Sequence, residues 1–282
     1  MSSNRLYRQR SISDTVNMVF DFVGENWRKW FKLMIYFLLP FSVLLGTTIA
    51  TFYDESSDSM STMAYVVSAI LFLGGCAVVT ALQILLVKWN EAHDGTLDQC
   101  EVADMWHIMP KTTLKCLGII VLWTPLLLLA ILCNIIPVIG FAAIFAALPI
   151  FLLCPIMLLE SDHSLADLGR RAFSLGFKKW GALIVIAVVM SLVGMLINNA
   201  ATFPLGIFLV VESLFEQSDS DSMIWSFVMD VIRYVLCVAA CFMIFVEIGL
   251  FVLAMTIHYG SVATEVEDIG LENDIDNFAN LK

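Results

Sequence analysis

Hydrophobic and polar positions along this chain alternate between two regimes, helical stripes and unbroken apolar runs. Over residues 11–31, Ile12, Val16, Val19, Phe20, Val23, Trp27 and Trp30 form a stripe, with Asp14, Asn17, Asp21, Glu25, Arg28 and Lys29 largely off it. Residues 163–180 repeat the construction. Leu165, Leu168, Ala172 and Leu175 recur at helical spacing, Ser164 and Asp167 supply a capping pattern, and Arg170, Arg171, Lys178 and Lys179 lead to Trp180. A weaker copy over 97–113 carries Val102, Trp106 and Met109, ends at Lys111 and Lys115, and is interrupted by Pro110. A basic, Trp-marked amphipathic helix leading into apolar residues predicts a helix lying on the cytoplasmic face of a membrane and then turning into it.

About 20 apolar residues cross a bilayer core. On that measure spans are expected at about 33–53, 63–87, 114–133, 138–159, 182–201 and 235–257. Pro40 is expected to kink the first, and Lys88-Trp89 anchors the end of the second. The short turn Asn134-Ile-Ile-Pro137 makes the third and fourth antiparallel neighbours. Pro204 is expected to break the fifth, leaving 205–215 as an interfacial or re-entrant helix too short to cross alone. The expected fold is therefore all-α: a polytopic membrane helical bundle of six transmembrane helices arranged as three hairpins, each preceded by a cytoplasmic amphipathic interfacial helix. This membrane domain covers 11–259, between a polar N-terminal tail, 1–10, and an acidic C-terminal tail, 260–282, expected to be mobile or ordered by a partner.

Composition agrees. The chain is 60% hydrophobic, where soluble domains are about 45–50% apolar, and its mean hydropathy is +0.87. Residues 1–10 lack the apolar core and cleavage site of a removable signal peptide, so the first span is expected to act as the insertion signal. The net charge of −11 decides little, because orientation follows Lys and Arg rather than acidic residues. Of 15 Lys and Arg, only Arg233 falls on the expected outer side. Both termini are accordingly expected in the cytoplasm, with the protein in a plasma or bacterial inner membrane. The seven cysteines lie mostly within apolar runs, and no disulfide framework is expected. Cys237 and Cys241 share a helix face without a third ligand nearby, so no metal is expected there.

The first and third amphipathic segments align: Ser11-Ile-Ser-Asp14 over Ser164-Leu-Ala-Asp167, Phe20 over Phe173, and Trp27-Arg-Lys-Trp30 over Phe177-Lys-Lys-Trp180. Surface helices ahead of a span often look this way. A threefold repeat of interfacial helix plus hairpin is the sharper reading. On these residues, roughly 11–260 of the chain resemble the membrane domain attached to glycerophosphoryl diester phosphodiesterases and related stand-alone membrane proteins of Bacteroidota. The resemblance implies a membrane bundle without catalysis of its own, since the enzymes of that family carry their chemistry in a separate soluble domain.

Candidate chemistry is sparse. Glu247 lies about 15 Å from the inner end of its helix, at 1.5 Å per residue, and a charge at that depth is costly unless paired, hydrated or protonated. Ser191 and Thr124 reach similar depth and are candidate hydrogen-bond partners for it, and Glu247 is expected to face the bundle interior. A protonated carboxyl bonded between helices is the plainer reading, and a proton- or cation-responsive site the sharper one. Asn198 and Asn199, just before Pro204, suit either a substrate site at a broken helix or the satisfaction of freed carbonyls. Arg28, Lys29, Trp30, Arg170, Arg171, Lys178, Lys179 and Trp180 are candidates for contact with lipid headgroups or the interface. The group Glu160, Asp162, His163 and Asp167 has acid–base residue types, but a capped helix start explains it better. No phosphate loop, nucleophile elbow, zinc motif or Cys-x-x-Cys is present in the sequence, so no cofactor, catalytic residue or nucleic-acid partner is expected.

These features favour a non-enzymatic membrane scaffold or accessory subunit, docking other membrane or cytoplasmic proteins or anionic lipid through its amphipathic helices. The alternative is a transporter or channel for a small solute, ion or lipid, using Glu247 with Asn198 and Asn199. An intramembrane enzyme lacks a second acid–base group beside Glu247.

Overall fold

A computed structural model describes residues 6–54, 59–60, 62–93, 96–132, 139–140, 143, 146–160, 164–216 and 223–267. The described residues form seven α-helices: α1 Ile12–Phe52, α2 Thr62–Ala92, α3 Val102–Leu132, α4 Leu153–Leu159, α5 Leu165–Lys178, α6 Trp180–Glu216 and α7 Met223–Glu267. A 3-10 turn, Leu148–Leu152, leads into α4, and a two-residue antiparallel pairing of Tyr53–Asp54 with Ser59–Met60 lies between α1 and α2. Among the described residues α1, α2, α6 and α7 are long and apolar enough to cross a membrane. The expected turn at 134–137 lies outside the described residues.

The helix starts follow the sequence. Ser11 Oγ accepts from Asp14 N at 3.1 Å and donates to Asp14 Oδ2 at 2.7 Å. Ser164 and Asp167 make the same reciprocal pair, at 3.3 and 2.5 Å. At the weaker middle copy, Glu101 N donates to Asp104 Oδ2 at 2.9 Å ahead of α3.

Helix continuity departs from expectation. The amphipathic segment 11–31 and the span after it are one helix, α1, with no turn between them. Pro110 interrupts neither the middle segment nor α3. Only at Lys179, with φ −120° and ψ 34°, does an amphipathic helix, α5, separate from its span, α6. Pro204 does not break α6, and 205–215 is its final stretch rather than a separate helix. In apolar surroundings a broken helix would expose several backbone groups, whereas Pro within a helix forfeits one bond. α7 likewise runs past the expected end at 257, so the acidic tail does not begin at 260: Tyr259, Val262 and Ala263 are core residues.

α7 is the axis of the bundle, packing along α1, α2 and α6, while α2 also packs on α1 and α3. Small residues permit close approach. A Cβ on Gly46 of α1 would stand 2.7 Å from Val238 N of α7, and one on Gly75 of α2 would enter the Phe245 ring. One end of the bundle is polar and tightly tied. Leu97 N donates to Asn26 Oδ1 at 2.9 Å, Arg10 N to Ser261 Oγ at 2.8 Å, and Leu6 is buried over Gly260. The chain's first and last described segments therefore meet at this end.

Candidate functional site

Between α2, α3, the Leu148–Leu159 stretch, α6 and α7 lies a cavity of about 530 Å³. Its walls are mainly apolar: Phe72 and Cys76 from α2, Trp123 from α3, Phe151 and Cys154, Ala187 and Met190 from α6, and Phe251 from α7. Glu247, Ser191 and Thr124 also line it. The three residues matched for depth along their helices thus line one cavity, and Glu247 is half-buried there. Its side chain lies on the bare backbone of α6, where a Cβ on Gly194 would stand 2.4 Å from Glu247 Cγ and 2.5 Å from Oε1. A glycine at that turn makes room for a carboxyl at the interface of α6 and α7.

The candidate hydrogen bonds do not form among the described residues. Thr124 Oγ1 donates to Ile120 O at 2.6 Å, one turn back on its own helix, and among the described residues neither hydroxyl is bonded to Glu247. Among the described residues no Lys, Arg or His lines the cavity. Asn198 and Asn199 stand outside it. Asn199 Nδ2 donates to Met195 O at 2.8 Å, and Asn198 Oδ1 is buried without a partner among the described residues. Because Pro204 leaves α6 intact, these residues flank no broken helix.

Several residues expected at the lipid surface have partners inside the protein. Trp30 is 4% exposed and its Nε1 donates to Gln83 Oε1 at 2.9 Å, so it is a core residue rather than an interfacial anchor. Gln83 itself, fully buried, also donates to Met34 Sδ at 3.1 Å. A Trp stripe at helical spacing looks the same whether it meets lipid or protein; the buried amide opposite decides. Arg171 Nη2 donates to Glu160 Oε1 at 2.8 Å, and Lys179 pairs with Glu265, so neither is a free headgroup ligand. Lys29 Nζ reaches Cys100 O at 3.4 Å, and Arg28 lies over Trp27, 5.4 Å from its centroid. Arg170, Lys178 and Trp180 are exposed.

Two polar clusters escaped sequence reading. At the tied end, the buried Tyr259 donates its phenol to Glu160, which also receives Arg171. Tyr7 packs edge-on against Tyr259, with centroids 6.5 Å apart. Burial, with the nearby carboxylates of Glu91 and Glu160, pushes the Tyr7 phenol up to about 12. Asp162 and His163 lie outside the described residues, and the Glu160 side chain belongs to this cluster rather than to the capped start of α5, where Ser164 is the cap. At the opposite end, Glu212 of α6 is buried and takes both Arg233 Nη2 at 2.5 Å and Nε at 3.2 Å from α7. For the second cluster the signal available was that Glu212 and Arg233 interrupt apolar stretches with charges of opposite sign.

Compared with known proteins, the chain matches no family model, and no curated protein or solved structure is significantly similar to it. These comparisons do not bear on the resemblance to the phosphodiesterase-associated membrane domain.

Proposed function

We propose that the protein is a multi-pass membrane carrier that takes a lipid-soluble solute into the interior of its helical bundle. The observation that carries this reading is the cavity of about 530 Å³, with apolar walls and one carboxylate. Its volume falls in the range of about 300–1,000 Å³ usual for small-molecule sites. Phe72 and Phe151 on its wall are 37% and 38% exposed, which supports access from the apolar layer. In this reading α3 and the 138–159 region complete six spans, the tied end faces the cytoplasm, and the plasma or bacterial inner membrane holds the protein. Asn198 and Asn199 take no part.

A neutral photoreactive probe, adamantyl diazirine, tests the reading on protein in nanodiscs. It should label peptides containing Trp123 and Phe251, and Ala187→Trp, which occupies part of the cavity, should reduce that labelling while sparing lipid-facing Leu196. Equal labelling of the cavity peptides in both proteins would refute it.

The scaffold reading retains one observation. Trp27, Phe177 and Trp180 are exposed alongside Arg28, Arg170 and Lys178, a composition suited to an anionic lipid surface or a docked partner. Native mass spectrometry should then find phosphatidylglycerol retained over phosphatidylcholine, with the preference lost in R170Q/K178Q. Equal retention removes this reading.

A further inference from the structure

Resting on the carrier reading, we infer that the cavity's solute is a lipophilic organic cation, such as a hydrophobic amine, quaternary ammonium or phosphonium. Charge complementarity comes first. Glu247 is the one charged side chain lining the cavity among the described residues, and no basic side chain on any wall opposes it. A lone carboxylate at this depth is relieved by a cation brought with the ligand, while an anion would meet repulsion with nothing to offset it.

The walls then select the kind of cation. Thr80, Thr124 and Ser191 are the neutral hydroxyl side chains lining the cavity, and Thr124 is committed to its own helix. Inorganic Ca²⁺ or Mg²⁺ requires about six oxygen ligands, which these walls do not assemble. Polar solutes such as sugars would leave most of their hydroxyls unpaired. What the cavity offers instead is aromatic surface from Phe72, Trp123, Phe151 and Phe251. Ring faces attract weakly hydrated cations and cover their apolar substituents. The Glu247 carboxyl supplies the charge, held against α6 because position 194 is glycine.

The test uses protection from adamantyl diazirine labelling in nanodiscs. Tetraphenylphosphonium should protect the cavity peptides at far lower concentration than the neutral triphenylphosphine oxide. In Glu247→Gln the cation's protecting concentration should rise by at least about thirtyfold, the scale of losing one partner of a buried charge pair. The neutral compound's should not change, and Glu247→Asp should restore part of the preference. Unaltered probe labelling in the Gln variant establishes that its cavity is intact. If the cation shows no advantage, or Glu247→Gln leaves it unchanged, the inference falls and the carrier reading stands. If the probe never labels the cavity, both fall.

Discussion

The phenol of Tyr259, a fully buried residue on α7, donates to the carboxylate of Glu160 just after α4, and Glu160 also receives Arg171 of α5. The end of α4, the neighbouring α5 and the distant α7 are thereby held together at one end of the bundle by a single acidic side chain. Tyr259→Phe keeps the shape and removes the donor. Hydrogen bonds to charged groups contribute about 1.5–3 kcal/mol, so thermal unfolding in detergent should occur several degrees lower. An unchanged melting temperature would show that Arg171 alone satisfies Glu160.

Glu212 and Arg233 join α6 to α7 at the opposite end. Removing one partner of a buried pair strands the other charge, at a cost of about 3–5 kcal/mol, whereas replacing both is often near neutral. Arg233→Met should therefore lower stability far more than Arg233→Met combined with Glu212→Gln. A double-mutant cycle on apparent melting temperatures measures this, and strictly additive losses would contradict the pairing.

Two glycines of α1 should respond in opposite directions to alanine. A Cβ at Gly46 meets the α7 backbone at Val238 N, 2.7 Å away, so Gly46→Ala must push the helices apart. A Cβ at Gly24 meets nothing within 4 Å, so Gly24→Ala gains the helix propensity difference of about 0.5–1 kcal/mol. Melting temperatures should fall for the first and hold or rise for the second.

Gly194→Ala acts on the cavity rather than on the packing of helix backbones, because the atoms it meets are those of the Glu247 side chain. Displacing that carboxyl should reduce tetraphenylphosphonium protection in the direction of Glu247→Gln while leaving neutral labelling unchanged. Full retention of the cation preference would separate Glu247 from its seat on α6.

Tyr7 provides a pH signature. Its phenol is raised from 10.0 to about 12 by burial first and then by Glu91 and Glu160. A raised folded pKa contributes stability that is complete below about pH 10. That contribution declines between pH 10 and 12, where the unfolded chain has lost the proton and the folded chain still holds it. The absorbance of tyrosinate, taken as wild type minus Tyr7→Phe, should therefore emerge nearer pH 12 than pH 10. Emergence at pH 10 would place Tyr7 in open solvent.

Much of the local structure was legible because it depends on neighbours in sequence. Ser11 with Asp14 and Ser164 with Asp167 cap their helices as their spacing foretold. Depth along a helix is also local, at 1.5 Å per residue, and it placed Glu247, Ser191 and Thr124 at one level. The cavity that unites them was not legible, nor was Gly194 as the seat of the carboxyl. Both depend on how each helix is rotated about its axis, which hydropathy in a nearly uniform apolar run leaves open. The fates of Trp30, Arg171 and Lys179 were hidden for a related reason. An amphipathic stripe reports which face is apolar but not whether lipid or protein covers it, and their partners Gln83, Glu160 and Glu265 lie on other segments.

The sequence by itself determined that the chain is helical with stretches long and apolar enough to cross a membrane, where its helices start, and which of its few polar groups share a depth. Each of those follows from backbone hydrogen bonding and from the cost of exposing polar groups to an apolar medium. Tertiary structure decided which helices run unbroken through Pro110 and Pro204, which charges pair, and that Glu247 faces a cavity rather than a dry interface. Those outcomes rest on contacts between segments far apart in the chain, where a missing Cβ or one opposing side chain outweighs local preference.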